Sequence, residues 1–205
     1  GTTEGMDGAI IMYSDNDLLI YTMAERVATL SADEDVTDTF VITVTDDQSA
    51  IATQTITVTI EGENDDPVLV GTFSGSETED DGYITGNVTS TDIDHDATAV
   101  FSFDTTEGTY GDISMGSDND LWTYTMAERV ATLSADEDVT DTFVLTVTDD
   151  QSAIATKTIT VTIEGENDDP VLVGTFSGSE TEDDGYVTGS VTSTDIDHDA
   201  TAVFS

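Results

Sequence analysis

Carboxylates are the side chains of this sequence whose spacing suggests chemistry, because they occur in short groups and not evenly along the chain. There are 45 Asp and Glu residues against three Lys and Arg, and the formal net charge is −42. The groups include Glu63–Asp66, Glu77–Asp81, Asp92–Asp96, Asp136–Asp138 and Asp149–Asp150. Carboxylates this close together cannot all stay ionised cheaply unless a cation lies among them. Oxygen ligands without cysteine favour a hard cation, most naturally Ca²⁺.

The segment Asp92–Asp96 places three carboxylates at alternate positions, so a turn can direct them to one point. It is not an EF-hand loop, because the sixth position is Ala97 instead of Gly and the twelfth is Phe103 instead of Glu. Two other interpretations of the acidic groups stay open here. Acid runs are often solvated loops, and a protein adapted to high salt is also rich in acids and poor in lysine.

The composition excludes several functions. Nucleic acid and anionic membranes need clustered Lys and Arg, which this chain lacks. The absence of Cys excludes disulfides, thiol catalysis and thiolate metal sites. His95 and His198 have no second histidine or nucleophile beside them in sequence, so we predict no enzymatic activity. Trp122 and Tyr124 are expected to pack in the core and not to stack on a sugar.

The elements that must position these acids are strands, because apolar and polar residues alternate in short runs. Seven strands are predicted: Val68–Phe73, Tyr83–Ser90, Ala97–Phe103, Gly111–Met115, Leu121–Thr125, Val139–Thr148 and Ala153–Ile163. A turn at Asp149–Ser152 is expected to join the last two into a hairpin. Met126–Leu133 departs from the pattern and is expected to form one or two helical turns. The fold class is therefore all-β, with about seven strands per immunoglobulin-like sandwich module.

An internal repeat of 103 residues organises the whole chain. The sequence aligns to itself at this shift without a gap, and 12 of 102 aligned pairs differ. We predict one complete module at residues 64–166. Residues 1–63 are then the C-terminal part of a preceding module, and residues 167–205 are the N-terminal part of a following one.

The complete module resembles the VCBS repeat of giant bacterial surface proteins and RTX adhesins. The similarity rests on GTYGDISMGSDNDLWTYTMAERV and VTDTFVLTVTDDQSAIATKTITVTIEGENDDPV, and it extends over both partial modules. It implies a cadherin-like or immunoglobulin-like sandwich, repeated in long secreted arrays that often hold calcium at the junctions between modules.

The same resemblance implies ligands for Ca²⁺, by transfer of the cadherin junction pattern residue by residue. At the first junction they are Asp33, Glu34, Glu63, Asn64, Asp65, Asp92 and Asp94, with Asp149 or Asp150 from the far turn. At the second junction they are Glu79, Asp136, Glu137, Glu166, Asn167, Asp168, Asp195 and Asp197. The linker here reads ExENDDP where the cadherin linker reads DxNDNxP.

These observations predict a non-enzymatic structural repeat of a secreted adhesin or extracellular filament, stiffened into a rod by calcium. Its partners would be neighbouring copies of the repeat, in one chain or between chains of a fibre. Two alternatives remain. One is a fibre subunit in which residues 167–205 complete residues 1–63 of the next chain by strand complementation. The other is a carbohydrate-binding module.

Overall fold

The computed structural model describes residues 2–13, 18–118, 120–183, 185–198 and 200–205, and these residues form an all-β protein. The strands are β1 (Thr2–Glu4), β2 (Gly8–Tyr13), β3 (Leu18–Met23), β4 (Asp35–Thr45), β5 (Ile51–Glu61), β6 (Val68–Gly71), β7 (Ser74–Thr78), β8 (Tyr83–Thr91), β9 (Ala99–Phe103), β10 (Gly111–Met115), β11 (Leu121–Met126), β12 (Asp138–Asp149), β13 (Ile154–Glu164), β14 (Val171–Gly174) and β15 (Val191–Thr194). Short 3₁₀ helices span Glu25–Thr29, Glu79–Asp81 and Glu128–Val130. Among the described residues, no helix is long and apolar enough to cross a lipid bilayer.

Two four-stranded sheets make up most of the predicted complete module. Their strand orders are β10-β11-β8-β6 and β7-β13-β12-β9. Residues on β12 and β13 alternate between the core and the surface, as the sequence pattern requires. This arrangement confirms the predicted all-β sandwich class.

All seven predicted strands are present, and each end lies within two residues of its predicted position. The predicted helical segment contains the 3₁₀ helix Glu128–Val130. The sequence analysis missed β7, because Ser74–Thr78 carries none of the apolar β-branched or aromatic residues that mark a strand. This strand pairs in parallel with β13, from Ser74 opposite Thr160 to Thr78 opposite Glu164.

Trp122 and Tyr124 lie at the centre of the core, as predicted, and both are fully buried. The Trp122 indole N–H donates a hydrogen bond to the Thr72 carbonyl at 2.8 Å, which satisfies its one polar group. Gly86 lies opposite Trp122 in the β8–β11 pair, and a Cβ there would be 2.5 Å from the indole ring. The tryptophan therefore requires glycine at this position.

A buried tyrosine–aspartate pair anchors the loop before β10. The Tyr124 hydroxyl donates to Asp141 Oδ2 at 2.7 Å, and the backbone N–H groups of Thr109 and Tyr110 donate to the same carboxylate at 2.9 and 2.7 Å. The first copy repeats this arrangement, with Tyr21 donating to Asp38 Oδ2 at 2.7 Å. The sequence analysis did not predict this pair, because its members are 17 residues apart on different strands.

The chain divides into two compact units. The first comprises residues 1–69, 90–100 and 147–155, and it contains the sheet β1-β2-β3 and the hairpin β4-β5. The second comprises residues 70–89, 101–146 and 156–205, and it contains the ribbon β14-β15. The predicted division into modules at residues 64 and 167 stays a prediction.

Candidate metal centres

Three carboxylates predicted as ligands converge in the second unit. One carboxylate oxygen from each of Glu79, Asp168 and Asp197 lies within 4.8 Å of the other two. We call these residues, together with Asp195, the second cluster. Glu79 is supplied by the 3₁₀ helix after β7, Asp168 by the segment before β14, and Asp195 and Asp197 by the segment after β15.

Backbone N–H groups hold the second cluster in place. Glu79 is only 5% exposed, and its two oxygens accept hydrogen bonds from the N–H groups of Leu133 at 3.0 Å and Glu166 at 2.9 Å. Asp197 Oδ2 accepts from the N–H of Asp168 at 3.1 Å, and Asp195 Oδ1 accepts from the N–H of Asp197 at 3.1 Å. The backbone thereby fixes carboxylates from three separate segments at one place.

Among the described residues, no ion pair joins the carboxylates of the second cluster to a basic group. Burial raises the pKa of Glu79, with repulsion from Asp168 and Asp80 adding to it, and this outweighs the lowering by its two backbone hydrogen bonds. Burial and the neighbouring carboxylates Asp80, Asp197 and Asp195 raise the pKa of Asp168. Asp197 Oδ1 is buried and has no hydrogen-bond partner among the described residues. A cation is the group that would satisfy this oxygen and reverse both pKa shifts.

The first cluster consists of Asn64, Asp65, Asp92, Asp94 and Asp149, and it lies within the first unit. Asp94 Oδ2 accepts from the N–H of Asp65 at 2.9 Å, and Asp92 Oδ1 accepts from the N–H of Asp94 at 3.0 Å. Asn64 Nδ2 donates to Asp149 Oδ2 at 3.0 Å. Asp92 Oδ2 and Asp94 Oδ1 are buried and have no partner in the part of the chain that the structure describes.

A histidine–glutamate contact lies next to each cluster. His95 Nδ1 is 3.1 Å from Glu34 Oε1, and His198 Nδ1 is 3.2 Å from Glu137 Oε1. The hydrogen bond to Glu34 raises the pKa of His95, and the same hydrogen bond lowers the pKa of Glu34. No role was predicted for the histidines from the sequence. The signal in the sequence is that both histidines recur at the 103-residue shift, each 61 positions after a recurring glutamate.

The remaining predicted ligands do not belong to either cluster. Asp150 accepts a hydrogen bond from the N–H of Thr98 at 2.9 Å, and Asn167 Nδ2 donates to the carbonyl of Asp168 at 2.8 Å. The side chains of Glu63 and Glu166 are exposed. Asp33 and Asp136 are also exposed, and the described residues form no hydrogen bond that joins either of them to a cluster.

The two clusters correspond to each other at the 103-residue shift, since Asp65, Asp92 and Asp94 match Asp168, Asp195 and Asp197. Each cluster has one element that the other does not have within this sequence. The second has Glu79, and the first has the contact between Asn64 and Asp149.

The residues present fit calcium. All the candidate ligand atoms are oxygens and several belong to carboxylates. Each cluster also has a buried oxygen that accepts no hydrogen bond from the residues that the structure describes. The nearby turns and backbone N–H groups orient these ligands, as outer-shell partners do in metal sites.

A family model agrees with this architecture. Residues 64–165 match the family model of the bacterial cadherin-like domain. No curated protein sequence matches the chain. Among solved structures, the chain is similar to Protocadherin Gamma B2 extracellular cadherin domains 3-6, with 15% identity over 92% of this chain and 45% of that chain and a TM-score of 0.47. It is also similar to human CDH23 EC21-23, with 16% identity over 94% of this chain and 62% of that chain and a TM-score of 0.46.

The chain spans less than two thirds of the length of these two solved chains. The family model supports the cadherin-like fold that the sequence resemblance implied, and it indicates a non-enzymatic adhesion or structural role at an extracellular location.

Proposed function

We propose that this chain is a structural repeat of a secreted bacterial adhesin or extracellular filament, and that calcium at the module junctions stiffens it. The family context is that of the VCBS repeats of RTX adhesins. The repeat would act by adding length, since near-identical modules extend an array without changing its chemistry.

The observation that carries the proposal is the set of buried carboxylate oxygens without partners. Asp92 Oδ2, Asp94 Oδ1 and Asp197 Oδ1 all belong to residues predicted as ligands, and all lie beside a predicted module boundary. Leaving a buried charged oxygen unsatisfied is costly, and this cost is a reason to expect a cation there.

The second cluster supports the mechanism of stiffening. Glu79 belongs to the predicted complete module, whereas Asp168, Asp195 and Asp197 belong to the segment beyond its boundary. Without a cation these carboxylates repel one another, which favours a flexible linker. A bound Ca²⁺ would supply the positive charge that holds the two sides together, and the Leu133 and Glu166 N–H groups keep Glu79 oriented for it.

The carbohydrate-binding alternative receives no support from the aromatic residues. Trp122 and Tyr124 are fully buried, so neither presents a ring face to a sugar. We propose no reaction for this chain.

Thermal unfolding in EDTA and then in 10 mM CaCl₂ tests the proposal. With a dissociation constant of about 10⁻⁴–10⁻³ M, as in extracellular calcium modules, linkage gives about 1.4–2.7 kcal/mol of stabilisation per site. For one module of about 100 residues, this stabilisation corresponds to a Tm rise of about 6–20 °C.

Magnesium at 10 mM and potassium chloride at matched ionic strength are the salt controls. The Asp197→Asn variant should lose the part of the calcium-induced rise that the second cluster contributes, whereas Asp47→Asn, an exposed turn substitution, should keep the whole rise. If potassium chloride stabilised the chain as much as calcium, the acids would serve general solvation and the proposal would fail.

A further inference from the structure

A loop before the predicted boundary at residue 64 contacts His95 directly, through protein atoms alone. The N–H of His95 donates a hydrogen bond to the carbonyl of Thr29 at 2.8 Å, and the Ser31 hydroxyl donates to the carbonyl of His95 at 3.0 Å. The imidazole adds a third contact, because His95 Nδ1 is 3.1 Å from Glu34 Oε1 and an ionised carboxylate can only accept. Residues 29–34 therefore hold both the backbone and the side chain of His95.

The same contact recurs at the second predicted boundary, 103 residues further along the chain. The N–H of His198 donates to the carbonyl of Thr132 at 2.7 Å, and the Ser134 hydroxyl donates to the carbonyl of His198 at 2.8 Å. His198 Nδ1 is 3.2 Å from Glu137 Oε1. We call residues 29–34 and 132–137 the docking loops. Each docking loop precedes a predicted boundary, and the histidine that it contacts follows that boundary.

Contacts within the first docking loop fix its shape. The Glu34 N–H donates to the Ser31 carbonyl at 2.9 Å, and the Ser31 N–H donates to Glu34 Oε2 at 3.3 Å. The N–H of Gly62, just after β5, donates to the Glu34 carbonyl at 3.0 Å, and a Cβ at Gly62 would overlap the Ser31 carbonyl. The end of β5 therefore packs tightly against the docking loop, and Glu34 Oε1 is directed at the histidine.

The buried part of the contact is the serine hydroxyl and not the imidazole. Ser31 is 8% exposed, and the His95 carbonyl is the acceptor of its hydroxyl. The side chains of His95 and Glu34 are 61% and 40% exposed, so solvent screens their attraction and their contact contributes little. A buried hydroxyl left without an acceptor costs more than such an exposed pair contributes. The contact therefore depends mainly on Ser31 and on the backbone of His95.

None of these three hydrogen bonds uses an oxygen of the first cluster. His95 directly follows Asp94 in sequence, so the docking loop positions the segment that carries Asp92 and Asp94. The division of the chain agrees with this, because residues 90–100 belong to the same compact unit as residues 1–69. The segment is thereby anchored to residues before the predicted boundary by contacts that need no cation.

We propose that each docking loop is a recognition surface for the following module and that it acts without metal. Its partner is the segment Asp-Ile-Asp-His-Asp, which occupies residues 92–96 and 195–199. The loop offers a carbonyl, a hydroxyl and a carboxylate, and these match the N–H, the carbonyl and the imidazole N–H of the histidine. The junction therefore keeps a preferred orientation in EDTA, although the carboxylates beside it repel one another.

The proposal goes beyond calcium binding and holds without it. A second consequence rests on the proposed function. Because docking already orders Asp92 and Asp94, less conformational freedom is lost when calcium binds to them. The docking loop thus raises the affinity for calcium through the position of the ligands.

Amide hydrogen exchange of the full 205-residue chain, measured by NMR in EDTA, tests the docking. We expect the N–H groups of His95 and His198 to exchange on the order of tenfold or more slowly than that of Asp47, an exposed turn residue. A segment that is not docked would exchange at a rate close to that of the turn. The same measurement in 10 mM CaCl₂ shows whether the protection needs the cation.

Ser31→Ala and Ser134→Ala each disable one docking loop and leave the other as an internal control. Loss of one neutral hydrogen bond should speed the exchange of the His95 N–H in Ser31→Ala by about two- to tenfold, while His198 stays unchanged. Ser134→Ala should give the reverse pattern. General destabilisation would affect both histidines, so it cannot imitate this pair of results.

Exchange of both histidine N–H groups in EDTA at the rate of Asp47 would overturn the docking. Protection that appears only after calcium is added would also overturn it, and would leave the calcium proposal standing. Equal acceleration of His95 and His198 in Ser31→Ala would contradict a local role for the docking loop. Protection in EDTA, together with no calcium-induced rise in Tm, would support the docking and contradict the calcium proposal.

Discussion

Replacement of Tyr124 by phenylalanine is the sharpest test of the energetics of this fold. Its hydroxyl is one of three donors to Asp141, a carboxylate that is only 6% exposed. The variant keeps the ring and its contact with Phe143, whose centroid is 5.8 Å away, and removes only the hydrogen bond. Asp141 is then left with the N–H groups of Thr109 and Tyr110.

The expected cost follows from the type of hydrogen bond. Hydrogen bonds to a charged group contribute about 1.5–3 kcal/mol to the free energy of unfolding, and a buried carboxylate cannot recruit water in place of the lost donor. For a domain of about 100 residues this lowers Tm by about 6–24 °C. Tyr83→Phe is the matched control, because Tyr83 is 62% exposed and its change should cost little.

The stabilisation that the Tyr124 hydroxyl contributes should decrease at high pH. Burial, followed by the hydrogen bond and charge of Asp141, raises the pKa of Tyr124 above its ordinary value of 10.0. A raised pKa means that this stabilisation is complete below pH 10 and is lost as the pH rises toward the pKa of the folded state. The equivalent arrangement in the first copy raises the pKa of Tyr21 to about 12. The stabilisation that Tyr21 contributes is therefore lost between about pH 10 and pH 12.

Urea unfolding of the parent chain, Tyr124→Phe and Tyr83→Phe at pH 7, 9 and 11 measures both effects at fixed calcium. The difference between the parent and Tyr124→Phe should be largest at pH 7 and should narrow at pH 11, because both chains lose the Tyr21 contribution there but only the parent loses the Tyr124 contribution. A cost no larger than that of Tyr83→Phe, or a difference that stays constant with pH, would refute the reasoning.

Three further predictions follow from the clusters and the core. Glu79→Gln should show a smaller calcium-induced rise in Tm than the parent chain, because the amide removes one carboxylate oxygen from the second cluster and turns an NH₂ group toward one of the two backbone N–H groups that Glu79 accepts from. Asp94→Asn should lower the calcium affinity, measured by titration calorimetry, by tenfold or more, which corresponds to about 1.4 kcal/mol of binding free energy. Asp47→Asn should leave the calcium affinity unchanged. Gly86→Ala should destabilise the chain by about 1–3 kcal/mol in chemical unfolding through its overlap with Trp122, and Gly189→Ala should cost less, because the atom nearest to a Cβ there is 3.2 Å away.

The sheets were predictable because their signal is local. Alternating Val, Ile and Thr along residues 139–148 and 153–163 defines the two long strands, and the acidic turn between them defines the hairpin. Strand β7 was not predictable in this way, because Ser74–Thr78 becomes a strand through pairing with β13 and not through its own propensity.

The candidate sites were predictable in part. The 103-residue repeat and the resemblance to a known family identified the acidic residues, but not which of them lie together. Glu79 is 54 positions from Leu133, and His95 is 61 positions from Glu34, so only the fold brings these groups into contact. The sequence also does not distinguish the exposed Asp136 from the buried carboxylate of Glu79, because both stand in equally acidic runs.

The parallel pairing of β7 with β13 determines how the module responds to a pulling force. The chain enters the predicted module at β6, continues directly into β7 and leaves the module just after β13, and β7 and β13 lie side by side and run in the same direction. Tension on the two ends therefore slides one strand past the other, so that the hydrogen bonds from Ser74 to Thr78 are loaded together in shear. A pair opened from one end would break its bonds one at a time, at lower force. Resistance to tension is thus concentrated in a five-residue strand that is almost devoid of hydrophobic side chains.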